Sequence, residues 1–474
     1  MESESETFLT NRGYAILKEN NTKCITYLKK LLTVKPKANP SMGLAGNEFP
    51  VYLESSSKLY IPKAFGLGMF GLPKYDKLHK GHDAPGLIFN GTLRQEQEAP
   101  VAAFLESAAD PLRRGGIISL ACAAGKTVIA LYISTQLKKK TLVLCHKEFL
   151  MNQWKERINQ FVPNAKVGLI KGKDIIVDDC DIVIGSVQSI AMKDYDSAIF
   201  KQFGFVVSDE CHHLSAEVFS KVLPKVTAAV MLGLSATLNR KDGLRKVFEW
   251  HLGKPVFQTQ KRADTELIVE VLRVPAPSSR TPDYGEELLM WNGKRNISGM
   301  INLICSYKPR NKLILDRLAS IEKDRRTLIL SDRRGHLKYL EEQIIKLNIG
   351  SVGYYVGGMK EKDLKESESK DIILGTYSMA SEGMDIPCLN TLILASPISS
   401  IEQSIGRVQR QKAQERKYTP LVIDVCDNYS LFANQARKRI DFYKKNGYTV
   451  IDASMAVEEA DIEEGSYDFI ADDD

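Results

Sequence analysis

"SLACAAGKTVIALYI", residues 119 to 133, closes a run of apolar residues with Gly125, Lys126 and Thr127 and then turns apolar again. A phosphate-binding loop asks for Gly, four residues, then Gly-Lys-Ser/Thr. Small residues let backbone N–H groups close around a phosphate, while the Lys and the hydroxyl reach phosphate and Mg²⁺. Leu120 stands where the first Gly belongs, but Ala121, Ala123, Ala124 and Gly125 keep the loop small. It lies between a strand-like "IISLA" and a helix-like "TVIALYISTQL", the strand-loop-helix context the motif requires. The competing reading of residues 115 to 134 is a membrane span. A central Lys would cost such a span about 2.5 to 3.5 kcal/mol, and Gly115, Gly116 and Gly125 suit a loop better.

Outward from this loop, apolar runs recur, each stopping at polar or small residues: "TLVLCHK" (141 to 147), "DIVIGSVQS" (181 to 189), "FVVSDECHH" (205 to 213) and "AVMLGLSAT" (229 to 237). Helical stretches separate them, and continuous runs separated by helices read as buried parallel strands. Ligands of such sheets sit beyond the carboxyl ends of the strands, so the polar stops converge on one edge. A second series follows: "RTLILSD" (326 to 332), "DIILGTYS" (371 to 378), "LNTLILASP" (389 to 397) and "PLVIDVCD" (420 to 427). The fold class is therefore α/β, with two successive parallel-sheet domains over 89 to 261 and 262 to 455. A small N-terminal region precedes them (1 to 88), and the Pro- and Ser-rich "VPAPSSRTPDYGEE" marks a loop insertion near 275 to 298.

A chain of 474 residues with 43% hydrophobic content can bury large cores. The opening "MESESETFLTNRGY" is acidic and polar, unlike a cleavable signal. Cys24, Cys122, Cys145, Cys180, Cys211, Cys305, Cys388 and Cys426 are scattered without a CxxC pair, so neither a zinc ribbon nor a disulfide framework is indicated. The expectation is a soluble, intracellular chain of a reducing compartment, acting as a monomer away from membranes. Formal net charge is +6, but residues 456 to 474 hold nine acidic side chains and no basic ones. The rest of the chain, with 65 Lys and Arg against 50 Asp and Glu, carries +15. A basic body with an acidic tail is common in proteins that touch nucleic acid. The tail itself reads as a disordered solubilising segment, or as one that competes with nucleic acid or recruits a partner through Tyr467 and Phe469.

The acid pair in "FVVSDECHH" completes the loop's chemistry. Asp209 and Glu210 end a predicted strand, where one carboxylate can hold Mg²⁺ and the next can polarise a water that attacks a γ-phosphate. Alone, such a pair is a turn or a helix start; downstream of a GKT loop it reads as the second half of an ATP site. In "QSIGRVQR" (403 to 410), Gln403, Arg407 and Arg410 stand at i, i+4 and i+7, which on a helix puts all three on one face.

Taken in order, "AGKT", "DECH" (209 to 212), "SAT" (235 to 237), "EGMD" (382 to 385) and "QSIGRVQR" resemble motifs I, II, III, V and VI of superfamily 2 helicases, over residues 93 to 430. The resemblance implies tandem RecA-like domains with ATP and Mg²⁺ as cofactors. It implies that Ala123, Ala124, Gly125, Lys126 and Thr127 bind phosphate, that Thr127 and Asp209 hold Mg²⁺, and that Glu210 positions water. Arg407 and Arg410 would reach from the second domain to the γ-phosphate, a contact of a kind that contributes on the order of 10³ to 10⁵ in rate. Gln97 in "LRQEQ" would contact the base, an ordinary polar helix residue being the alternative; Gly383 would contact the nucleotide, and Asp385 would reach its ribose or make the interdomain contact. His212, Ser235, Thr237 and Gln403 would couple the site to motion, with a helix N-cap hydroxyl the alternative for Ser235 and Thr237. Lys147, Gln188 and Thr376 would touch the nucleic-acid backbone. "LMNQWKERINQF" (150 to 161) and Arg240-Lys241-Asp242 resemble XPB-like helicases, Lys241 departing in charge from that family's Glu. "KLYIPKAFGLGMFGLP" (58 to 73) and "YKPRNKLILDRL" (307 to 318) resemble the transcript-release helicases of poxviruses and other large DNA viruses, the alternative for "LYIPKAFGLGMF" being a hydrophobic patch that packs on the first domain. The expected activity is ATP-dependent translocation or unwinding on nucleic acid, DNA rather than RNA and 3′ to 5′, in contact with transcription machinery, with an RNA helicase or remodeller, or a partner-stimulated ATPase without unwinding, as the alternatives. The expected setting is host cytoplasm or virion for a viral chain, and nucleus or cytoplasm otherwise.

Overall fold

A computed structural model describes residues 6–19, 21–36, 47–121, 124–211, 216–236, 243–259, 266–274, 284–382, 384, 386–411 and 413–453. Ala123, His212, Thr237, Gly383, Asp385, the segment 240–242 and the tail 456–474 lie outside these residues. The chain divides into two compact units, Met1–Gln260 and Lys261–Asp474.

The main sheet of the first unit has eight strands, in the order Asp174–Ile176, Val167–Lys171, Ile182–Ser186, Thr141–Cys145, Phe205–Ser208, Val230–Ser235, Gly115–Leu120 and Pro255–Thr259. All neighbours pair in parallel except the outermost, Asp174–Ile176. The inner strands are buried along their whole length, as expected of apolar runs covered by helices on both faces. Alternate side chains feed two cores: Ile117, Leu142, Leu144, Val206 and Met231 enter one, while Ile118, Leu120, Val143, Val207 and Leu232 enter the other. The apolar stretch 115 to 134 thus contains the buried Gly115–Leu120 strand and the first turns of the Lys126–Leu137 helix. Among the described residues no helix is long and apolar enough to cross a membrane.

The first 76 residues add a separate sheet in the order Leu53–Glu54, Lys58–Ile61, Gly13–Leu17, Thr7–Thr10 and Tyr75–Asp76. Its core of Leu9, Tyr14, Ile16, Leu59 and Ile61 is covered by the Lys63–Phe70 helix, so close that a Cβ on Gly66 would lie 2.3 Å from Tyr14 Cβ. That helix packs on the Arg245–Leu252 helix, with Phe65 edge-on to Trp250 at 5.5 Å. Lys63 is fully buried there, its ammonium donating to the carbonyls of Ala228 (2.9 Å) and Ala229 (3.0 Å). The stretch 58 to 73 therefore docks the N-terminal sheet onto the rest of its unit.

The second unit holds a seven-stranded, wholly parallel sheet: Val352–Tyr355, Ile372–Gly375, Thr327–Leu330, Thr391–Leu394, Leu421–Cys426, Ile268–Arg273 and Thr449–Asp452. Its two faces bury separate apolar cores. A charged network lies under its carboxyl edge: Arg310 pairs with Asp427 at 2.9 Å, both essentially inaccessible, and Tyr284 donates to the same carboxylate at 2.8 Å. Both units have the parallel α/β architecture of tandem RecA-like domains.

Candidate nucleotide site

The parallel strands of the first sheet set the order of the side chains that follow them. Gln188, Lys147, Asp209 with Glu210, Ser235 and the 124–127 turn lie at or just past the carboxyl ends of five strands that are neighbours in the sheet. They occupy one carboxyl edge, where ligands of such sheets bind.

Gly125 caps the Lys126–Leu137 helix in a left-handed conformation, φ +78°. A Cβ on it would lie 2.2 Å from Gln97 Nε2, so glycine lets the turn close against the Gln95–Ala109 helix. Gln97 is buried. Its Oε1 accepts from the Arg94 amide at 3.0 Å and its Nε2 donates to the Ala124 carbonyl at 3.2 Å. The residue expected to read a base braces the loop in this structure.

Lys126 Nζ stands 3.1 Å from Glu210 Oε1, with the two side chains 9% and 17% exposed. The acid pair reaches this position because it is threaded between neighbouring strands: the Asp209 amide donates to the Leu144 carbonyl and the Cys211 amide to the Leu234 carbonyl, each at 3.1 Å. Between them Glu210 turns at φ +43°, a left-handed conformation costing a non-glycine residue about 1 to 3 kcal/mol. Its amide donates to Asp209 Oδ1 at 3.0 Å, and the indole of Trp154 donates to Asp209 Oδ2 at 2.8 Å. Burial and the adjacent Glu210 carboxylate push the Asp209 carboxyl up to about 6, while the indole, Lys126 and the Glu210 amide hold it down.

Trp154 is a site residue that the motifs do not include, although the sequence carries a signal for it. Met151, Trp154 and Ile158 share the buried face of the Glu148–Phe161 helix, and a buried indole N–H needs an acceptor. Two more expected residues meet on this edge: exposed Gln188 donates to the His146 carbonyl, next to Lys147. Ser235 is buried at the end of its strand.

In the second unit Thr376 follows the Ile372–Gly375 strand, its hydroxyl 3.3 Å from that of Ser378. The expectation of one helical face for Gln403, Arg407 and Arg410 is corrected here. The helix spans only Glu402–Val408, and Gln409 leaves helical geometry at φ −110°, ψ 26°. Gly406 weakens its last turn, and Gln409-Arg410-Gln411-Lys412 offers no apolar side chain to carry it on. Gln403 and Arg407 share the helix, whereas Arg410 lies past it. Arg407 is buried and donates to the Met384 carbonyl at 2.8 Å, tying the helix to the "EGMD" segment.

A site of this composition on a tandem RecA-like scaffold defines an ATP-dependent motor. The chain belongs to the superfamily 2 ATP-dependent helicases, and similar proteins are carried by large DNA viruses. The mimivirus protein "Putative ATP-dependent RNA helicase L396" (Acanthamoeba polyphaga mimivirus) is 34% identical over 459 residues, spanning 95% of this chain and 87% of its own. "Putative ATP-dependent RNA helicase QP509L" of African swine fever virus is 27% identical over 361 residues, spanning 71% and 69%. Residues 90–240 match the family described as "Type III restriction enzyme, res subunit". A solved fragment of a "putative HsdR subunit of a type I restriction enzyme" from Vibrio vulnificus YJ016 shares the fold, with a TM-score of 0.54 at 18% identity over 79% of this chain and 71% of that one.

Proposed function

We propose that the chain is a translocase that couples ATP hydrolysis to movement along DNA, 3′ to 5′, and that it acts on transcription complexes to free transcripts. The observation that carries this reading is the contact between Lys126 and Glu210 beside Asp209, a loop lysine and an acid pair on one sheet edge. The residues present fit a nucleotide with Mg²⁺. The first turn of the Lys126–Leu137 helix offers its amides to phosphate. Asp209 and Thr127 supply hard oxygen ligands, and a cation would remove the cost of ionising a carboxyl so deeply buried. Mg²⁺ dehydrates reluctantly and binds through one or two protein oxygens together with phosphates, so phosphate and water would supply the remaining ligands.

Mg²⁺, when bound, neutralises charge on the phosphates. The chain's own residues do the rest. Lys126, held by Glu210 in this structure, transfers to phosphate when ATP arrives, and Glu210 is thereby released to orient a water. Trp154 and the Glu210 amide keep Asp209 in one rotamer. Arg407 and Arg410 supply positive charge to the transferring group, and Lys147, Gln188 and Thr376 hold the nucleic-acid backbone. RNA is the second reading, favoured by the names of the viral relatives.

The test is steady-state ATP hydrolysis with no nucleic acid, single-stranded DNA, duplex DNA and RNA, each at two salt concentrations. Stimulation by DNA that weakens with salt is expected. Stimulation by RNA alone selects the second reading, and a rate indifferent to every nucleic acid overturns both. Glu210→Gln should bind ATP without turning it over.

A further inference from the structure

Trp291 is 98% exposed, beside Leu289 at 62% and Met290 at 41%. A large side chain so fully in water is unusual, and it stands on a built tip. Leu289 and Arg295 form an antiparallel bridge; the Met290 amide donates to the Lys294 carbonyl at 2.7 Å and the Asn296 amide to the Leu288 carbonyl at 2.7 Å. The turn closes through Gly293 at φ +73°, whose amide donates to the Met290 carbonyl at 2.9 Å, and through the Asn292 side chain, which accepts from the Lys294 amide at 3.0 Å. Asn-Gly between such arms is a hairpin turn signal.

The base of the hairpin is fixed to the second unit. Arg295 pairs with Glu287 at 2.8 Å, and Ser430 donates to the other oxygen of that carboxylate. Asn296 caps the Ile297–Ser306 helix, accepting from the Gly299 amide at 2.9 Å, and Arg333 donates to Ser298 Oγ at 2.8 Å on that helix. Upstream, Tyr284 stacks on Tyr307 with ring centroids 4.0 Å apart. A rigid mount therefore holds an apolar ring in solvent.

We infer that this hairpin, residues 288–296, is a nucleic-acid contact in which Trp291 stacks on an unpaired base and Lys294 meets the adjoining phosphate. The inference rests on the proposed translocase function. Charge favours this occupant: Arg295 is held by Glu287 at the base, while the exposed Lys294 stands beside the ring near the tip of the hairpin, on a chain whose first 455 residues carry +15. Stacking needs no base identity, because every base has a π-face, which suits a protein that moves along a strand. The ring also has few rotamers to lose.

The full chain provides its own probe, since Trp154 is buried, Trp250 is partly buried and Trp291 is the exposed tryptophan of the three. Oligothymidylate, oligouridylate and a blunt DNA duplex are titrated into wild type and Trp291→Ala, following tryptophan emission and, separately, binding of the same strands carrying an end label. Single strands should quench wild-type emission, and Trp291→Ala should lose that quenching and bind them about 5- to 150-fold more weakly, the equivalent of one stacked base. Trp291→Phe should retain most of the affinity, and ATP hydrolysis without nucleic acid should be the same in all three. Equal binding by wild type and Trp291→Ala, in a chain whose ATP hydrolysis nucleic acid does stimulate, overturns the hairpin's role and leaves the tip to a protein partner. A wild type that neither binds nor responds to any nucleic acid overturns the translocase reading, and this inference with it.

Discussion

The indole N–H of Trp154 donates to Asp209 Oδ2 across 2.8 Å, joining the core face of the Glu148–Phe161 helix to the acid at the end of a neighbouring strand. A hydrogen bond to a charged group contributes about 1.5 to 3 kcal/mol, and this one favours the ionised carboxyl that burial opposes. Trp154→Phe keeps the ring and deletes the donor. In the free enzyme the ionised Asp209 that must receive Mg²⁺ is lost as pH falls through its folded value, so removing the donor should raise the acid limb of the kcat/KM profile for ATP by about one to two pH units. An acid limb that stays in place would show that the indole only fills space.

Arg407 and Arg410 should separate by stability. Arg407→Ala leaves the Met384 carbonyl without its buried donor, and a cost of about 1 to 3 kcal/mol in urea unfolding should accompany the loss of turnover. Arg410, half-buried and beyond the helix, should lose turnover on replacement by Ala at a smaller cost in stability. Equal stability losses would refute this division.

His336 is fully buried between Ser331 Oγ and Asn311 Oδ1, each 3.0 Å away, and burial holds its folded value down to about 3. The unfolded chain takes up this proton near 6.5 while the folded chain does not, so stability falls as pH drops below 6.5. Between pH 6.5 and 5 the loss should be about 2 kcal/mol from this residue. His251 in the first unit is held down in the same way. Denaturant unfolding at pH 7 and pH 5 should show the slope, and His336→Gln should remove its own share.

Lys63 clamps the N-terminal sheet to its unit. Lys63→Ala deletes a buried stem and strands the carbonyls of Ala228 and Ala229, which should cost about 2 to 4 kcal/mol. Limited proteolysis should then cut first near residues 6 to 76. A variant as resistant as wild type would mean that the apolar contact of Phe65 with Trp250 suffices.

The central strands of both sheets were legible because they are buried on both faces and so read as near-continuous apolar runs, from "IISL" to "LVIDVC", the latter interrupted by Asp424, which Arg439 pairs in the interior. The outer strands were not. Pro255–Thr259 and Thr449–Asp452 lie at sheet edges, partly or fully exposed, and Val352–Tyr355 alternates buried with half-buried residues over four positions. The end of the Glu402–Val408 helix was missed because charged spacing at i, i+4 and i+7 is satisfied on paper whether or not the last turn forms.

By itself the sequence determined the order of the motifs, the parallel-sheet class and the place of Lys126, Asp209 and Glu210 at strand ends, since burial periodicity and the need for small residues around phosphate are written locally. Only the tertiary structure decided which of these groups meet. Contacts such as Lys126 with Glu210, Trp154 with Asp209, Lys63 with Ala228 and Arg310 with Asp427 join residues far apart in the chain. Their existence depends on strand order and on which helix covers which face, and no local pattern of residues encodes either.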